Sequence, residues 1–224
     1  MEICHYGNPK SRKVLIQMVD DHDLSFLEQE VLQIARLTEN ADFLLIAVKV
    51  DHWNDDLSPW AAPPVYGREG FGGGAGRTLS YLESEVLAPL RLEKPDREFY
   101  LGGYSLAGLF ALWAACETDY FSGVAAVSPS VWFSGFTDYV LGNGTEHGMG
   151  HLPHAEAVYL SLGDREEKTK NAVMARVGDA IRMIYEHLRG CGVTCTLEWN
   201  PGNHFREPEL RTAKGFDWVL KAKY

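Results

Sequence analysis

The segment Gly102-Gly103-Tyr104-Ser105-Leu106-Ala107-Gly108 joins a strand-like run, Glu98 to Gly102, directly to the apolar run LFALWAAC. A chain that passes from strand to helix in so few residues must turn sharply, and only small flanking residues leave room for the crowded backbone. The turn sets Ser105 at its tip, at the C-terminal edge of a sheet, where the amides opening the next helix converge. A hydroxyl in that position is a candidate nucleophile, but it is weak at neutral pH unless a base is hydrogen-bonded to it.

The rest of the chain supplies the setting for such a turn. Strand-like and helix-like segments alternate, the pattern of a parallel sheet covered by helices on both faces. Val14 to Val19 (VLIQMV) reads as a strand, and Phe26 to Leu37 has apolar residues at helical spacing. Phe43 to Val50 (FLLIAVKV) is almost continuously apolar, as a strand buried on both faces must be. A long loop rich in Trp, Pro and Gly is expected from Asp51 to Gly76, then the helix TLSYLESEVLAPL. After the turn at Ser105 come strands at Gly123 to Val127, Ala157 to Leu162 and Thr194 to Trp199. A helix is expected over Ala172 to Leu188, and another ends near Lys221. No repeat or linker interrupts this order, so the expectation is a single α/β domain over 1–224.

Composition narrows the partners. The net charge of -10 opposes binding to a phosphate backbone, so no nucleic acid is expected. No apolar run has the length of a membrane span, and none at the N-terminus resembles a signal peptide. A cytoplasmic protein with no membrane partner is the expectation. Cys4, Cys116, Cys191 and Cys195 are too few for a disulfide framework and are read as free thiols. His147, His151 and His154 in EHGMGHLPH have metal-binding side chains, but a Gly-rich loop makes a poor preorganised cage. No metal and no cofactor are expected.

The base that Ser105 requires should follow the last strand, because parallel strands deliver the loops after them to one edge. His204 in NPGNHF stands there; His5, His22, His52 and His187 have no comparable position, although His22 falls near the site. A carboxylate that orients the imidazole belongs in the loop after the preceding strand. LGDREEKTKN offers Asp164, Glu166 and Glu167, and the order Ser, acid, His holds for each.

These segments together resemble the putative esterase family of α/β-hydrolases, which includes esterase D and enterochelin-esterase-like enzymes. The resemblance spans most of the chain and rests on LIQMVDD, GGGAGRTLSYLESEVLAPL, GGYSLAGLFAL, SPSVWF, and LGDREEKTKN with NPGNHF. It implies an α/β-hydrolase fold without a large lid and a small-molecule ester as substrate. It also implies Ser105, His204 and Glu166 as triad, Glu166 being third after the strand-end glycine, with Asp164 the second choice. The backbone N–H groups of Leu106 and of Asp21 or His22 would hold the oxyanion. Trp132 and Trp53 would wall the pocket together with Trp60, with Arg68 and Arg165 as anion contacts. The chain departs from the family at Ala107, where glycine is usual, at Asp21, where the strand usually ends in Asp-Gly, and at Trp53, which replaces an arginine. The family's N-terminal strands are expected to be largely missing or compressed into MEICHYG, giving a sheet of about six or seven strands. Competing expectations are a non-catalytic binding protein of the same fold and a hydrolase of thioesters, amides or carbohydrate-linked acyl esters.

Overall fold

The computed structural model describes residues 1–144 and 152–222. Strand β1 (Glu2–Gly7) leads to β2 (Lys13–Val19), helix α1 (Asp21–Leu37) and β3 (Leu44–Lys49). The excursion that follows holds α2 (Trp53–Leu57), β4 (Ala61–Ala62), β5 (Phe71–Gly72) and α3 (Ala75–Tyr81). A π-helical turn, Leu82–Leu87, joins α3 to α4 (Ala88–Glu93). Next come β6 (Glu98–Tyr104), α5 (Leu106–Glu117), β7 (Phe121–Val127) and α6 (Phe136–Val140). The chain closes with β8 (Ala157–Gly163), α7 (Val177–Gly190), β9 (Thr194–Asn200) and α8 (Pro208–Lys221).

Seven strands form one sheet in the order β1-β3-β2-β6-β7-β8-β9. All neighbouring pairs are parallel except β1 with β3. The segment MEICHYG therefore supplies an antiparallel edge, pairing Ile3 with Val48 and His5 with Ile46. Alternation along each central strand divides the core in two. Ile16, Ile46, Leu101, Val124 and Leu160 face the layer that contains α5 and α7. Leu15, Leu45, Tyr100, Ala125 and Tyr159 face α1 and α8. Helix α5 is apolar on every side and is buried from Leu106 to Cys116, which places it in the interior rather than at the surface.

Three local features differ from the pattern read along the sequence. Helix α1 starts at Asp21, not near Phe26, because Asp20 caps it: its side chain accepts from the Asp23 N–H, and the Asp23 carboxylate accepts from the Asp20 N–H. The stretch from Asp51 to Gly76 folds as α2 and the β4–β5 pair, held by contacts such as Gly74 N–H to the Asp55 carbonyl at 2.6 Å. The helix expected from Ala172 begins as a 3₁₀ turn, Met174–Arg176, and becomes α-helical at Val177. All four cysteines are free.

Candidate active site

Ser105 sits between β6 and α5 with φ 58° and ψ -120°, a backbone conformation that side chains rarely adopt. The surroundings enforce it. The Ser105 N–H donates to the Val127 carbonyl, and the Ser105 carbonyl accepts from the N–H groups of Ser130 and Leu109. A Cβ on Gly103 would lie 2.6 Å from the Ala107 carbonyl carbon and 2.7 Å from the Ala107 Cβ. The turn thus closes with alanine at 107 because position 103 has no side chain.

His204 follows β9, and its Nε2 lies 3.0 Å from Ser105 Oγ. Its Nδ1 lies 2.7 Å from Glu166 Oε2. Glu166 opens a 3₁₀ turn just after β8 and is buried. Burial alone raises a carboxyl pKa, but hydrogen bonds from His204, Ser128 and the Gly163 N–H outweigh it and hold Glu166 below the ordinary glutamate value. The structure thereby brings Ser105, His204 and Glu166 into one hydrogen-bonded chain at the C-terminal edge of the sheet. Asp164 is exposed and does something else: its Oδ1 accepts from the Gly202 N–H at 2.8 Å, tying the β8 loop to the loop that carries His204.

Residues not singled out in the sequence complete this arrangement. Arg211 of α8 is 2% exposed. Its Nη1 donates to Glu166 Oε1 at 3.1 Å, and its Nη2 donates to the carbonyls of Pro201 and Asn203. Ser128 Oγ donates to Glu166 Oε1 at 2.7 Å. The Tyr104 hydroxyl donates to the His204 carbonyl at 2.7 Å and accepts from Arg211. Burial and the nearby Glu166 charge push the Tyr104 phenol up to about 12, so it remains a donor at neutral pH. Ser130 places a second hydroxyl 3.4 Å from Ser105 Oγ. The Arg211 signal was present in the sequence: Arg211 shares the buried stripe of α8 with Thr212, Gly215, Phe216 and Val219, where a lone arginine must have partners.

A cavity of about 610 Å³ opens over Ser105 and His204. Leu106, Trp132 and Trp53 line it, together with Tyr66, Phe71 and Met174. Other expected residues lie elsewhere. Asp21 begins α1 and its side chain pairs with Lys49; neither it nor His22 lines the cavity. Trp60 is buried among Phe133, Phe136 and Tyr139 and donates its indole N–H to the Ser134 carbonyl. Arg68 lines an adjoining depression with Asp20 and Glu69 that shares Trp53 and Tyr66 with the cavity, and Arg165 lines neither. His147 and His151 lie outside the described residues, and His154 is exposed. No helix among the described residues is long and apolar enough to cross a membrane.

Neither a model of a known protein family nor a curated protein matches the sequence. Solved structures do match the fold. Siderophore hydrolase EstA from Aspergillus nidulans is 21% identical, with a TM-score of 0.66 over 96% of this chain and 85% of that one. An IroE-like serine hydrolase from Shewanella oneidensis is 16% identical, with a TM-score of 0.70 over 96% and 74%. The enterobactin esterase FES from Shigella flexneri is 13% identical, with a TM-score of 0.68 over 98% of this chain and 55% of that one. The chain has the α/β-hydrolase fold.

Proposed function

We propose that the protein is a serine hydrolase of carboxylic esters that works through an acyl-enzyme. The observation that carries this reading is the continuous chain Ser105 Oγ, His204 Nε2, His204 Nδ1 and Glu166 Oε2, with separations of 3.0 Å and 2.7 Å. Both lie within the reach a nucleophile–base–acid relay requires.

In this reading Ser105 Oγ attacks the ester carbonyl carbon while His204 Nε2 takes its proton. Glu166 keeps the proton on Nδ1 and stabilises the imidazolium. The Leu106 N–H, the first of α5, faces the oxygen that gains charge in the tetrahedral intermediate; such a donor is worth about 3 kcal/mol of barrier. Collapse breaks the bond to the alcohol, which leaves with the proton from His204. Water, deprotonated by the same histidine, then releases the acid and restores Ser105. The chemistry uses no cofactor. The names of the structural neighbours, two hydrolases and an esterase, support the reaction class.

A ligand-binding protein of the same fold draws support from Asp21, which stands apart from the cavity and leaves Leu106 as the only expected oxyanion donor there. Labelling with a fluorophosphonate, followed by peptide mapping, separates the two: a hydrolase takes up the probe at Ser105, and a binding protein does not.

A further inference from the structure

The lining of the cavity bears on which esters would be accepted, an inference that rests on the hydrolase reading above. Among the described residues that line it there is no lysine or arginine, and the one carboxylate, Glu166, is bonded to Arg211 and His204. Arg68 lies in the adjoining depression, across the shared Trp53 and Tyr66. An anionic group seated over Ser105 would therefore shed water with no cation on the described cavity walls to receive it, in a protein whose net charge of -10 already repels it. The walls are aromatic and aliphatic. Phe71 and Trp132 meet edge to face, with ring centroids 6.2 Å apart, and Met174 and Val177 come from the β8 side. A volume of about 610 Å³ far exceeds what a short acyl chain fills.

The mouth adds a direction. His204 must hand its proton to the leaving oxygen, so the alcohol departs along the His204 side. Phe205 stands there, edge-on to the His204 ring at 5.5 Å and 86% exposed. A phenyl ring that exposed at the edge of a cavity is explained if an apolar group covers it.

We propose that the substrate is an uncharged ester with a bulky apolar acyl group packed against Phe71 and Trp132 and an apolar alcohol that leaves past Phe205.

Stable benzyl esters test this. With the alcohol held constant, kcat/KM for benzyl phenylacetate should exceed that for benzyl butyrate by about tenfold, and monobenzyl succinate, close to butyrate in size but anionic, should fall at least about 30-fold below butyrate. Trp132→Ala should erase the phenylacetate advantage. Met174→Lys should raise the succinate monoester relative to butyrate. On the alcohol side, Phe205→Ala should shrink the benzyl-over-methyl ratio for phenylacetate esters by about tenfold, and Phe205→Leu should restore part of it. These are ratios within one protein sample, so partial misfolding of a variant leaves them intact. A succinate monoester cleaved as well as butyrate, or ratios indifferent to Trp132 and Phe205, would overturn the inference while leaving the hydrolase reading standing. If no ester is cleaved, the hydrolase reading fails instead. Quenching of tryptophan fluorescence by benzyl butyrate and by monobenzyl succinate then decides: tighter neutral binding supports this inference, and equal or tighter anion binding overturns it.

Discussion

The two carboxylate oxygens of Glu166 serve different partners: Oε1 accepts from Arg211 Nη1 at 3.1 Å, and Oε2 faces His204 Nδ1 at 2.7 Å. The buried guanidinium also binds the carbonyls of Pro201 and Asn203, so one side chain fixes both the acid and the loop that presents the imidazole. Replacing it with Arg211→Met leaves a buried carboxylate without its cation and the Pro201 carbonyl without this donor, while the Asn203 carbonyl keeps the Arg206 N–H. Loss of one partner of a buried pair costs about 3–5 kcal/mol. For a chain of this size that is a fall in Tm of about 10 °C by calorimetry. The double variant Arg211→Met/Glu166→Gln should recover part of the loss, because no unpaired charge remains.

The assignment of the acid is tested by amide substitution. Glu166→Gln keeps the shape but no longer stabilises an imidazolium or enforces its tautomer, so kcat should fall by about 10⁴. Asp164→Asn keeps an oxygen for the Gly202 N–H, and kcat should stay within about tenfold of wild type. Steady-state rates on one activated ester suffice; a larger loss in Asp164→Asn than in Glu166→Gln would reassign the acid.

Much of this site was legible in the sequence because it depends on local order along the chain. A strand, a turn of small residues and an apolar helix place Ser105, and parallel topology puts the loops bearing Glu166 and His204 at the same edge. What was hidden depends on packing between distant segments. Trp53 and Trp60 lie in one excursion, but the docking of α2 and the β4–β5 pair turns Trp53 to the cavity and Trp60 into an aromatic cluster. The antiparallel placement of β1 has no signature in EICHYG, whose exposed edge carries little apolar pattern. Asp21 illustrates the opposite case. The spacing Asp20-x-x-Asp23 is a helix-start signal that sequence reading could have used, and it places Asp21 on α1.

A second buried acid should give the stability a distinctive pH dependence. Glu30 lies wholly inside, bonded to Gln17 Nε2, and burial pushes its carboxyl well above the ordinary glutamate value. Glu30 Oε1 and Gln17 Oε1 are both buried without a partner among the described residues. A folded pKa above the unfolded one means that this group's contribution is full at pH below the unfolded value and is lost as pH rises through the folded value. Glu30→Gln removes that titration and supplies a donor for Gln17 Oε1. Its Tm relative to wild type should therefore climb as pH rises from the ordinary glutamate value through the raised folded value, ending several degrees higher. Glu166 has the opposite sign. Its depressed pKa contributes stability above the ordinary glutamate range, lost as pH falls through the lowered folded value. A Tm difference for Glu30→Gln that is flat across this range would show that Glu30 is not held protonated.

The role of Ser105 as nucleophile is tested most directly by comparing kcat/KM of the wild type and Ser105→Ala on p-nitrophenyl butyrate, with melting curves for both. Alanine suits the turn, so the two proteins should melt within about 2 °C of each other. Removal of the nucleophile from a triad costs several orders of magnitude, about 10⁶ in turnover where all three members act as a unit. The wild type should hydrolyse the ester measurably, and Ser105→Ala should lose at least about 10⁴ of that activity. Equal hydrolysis by the two folded proteins, or none by either, would contradict that role.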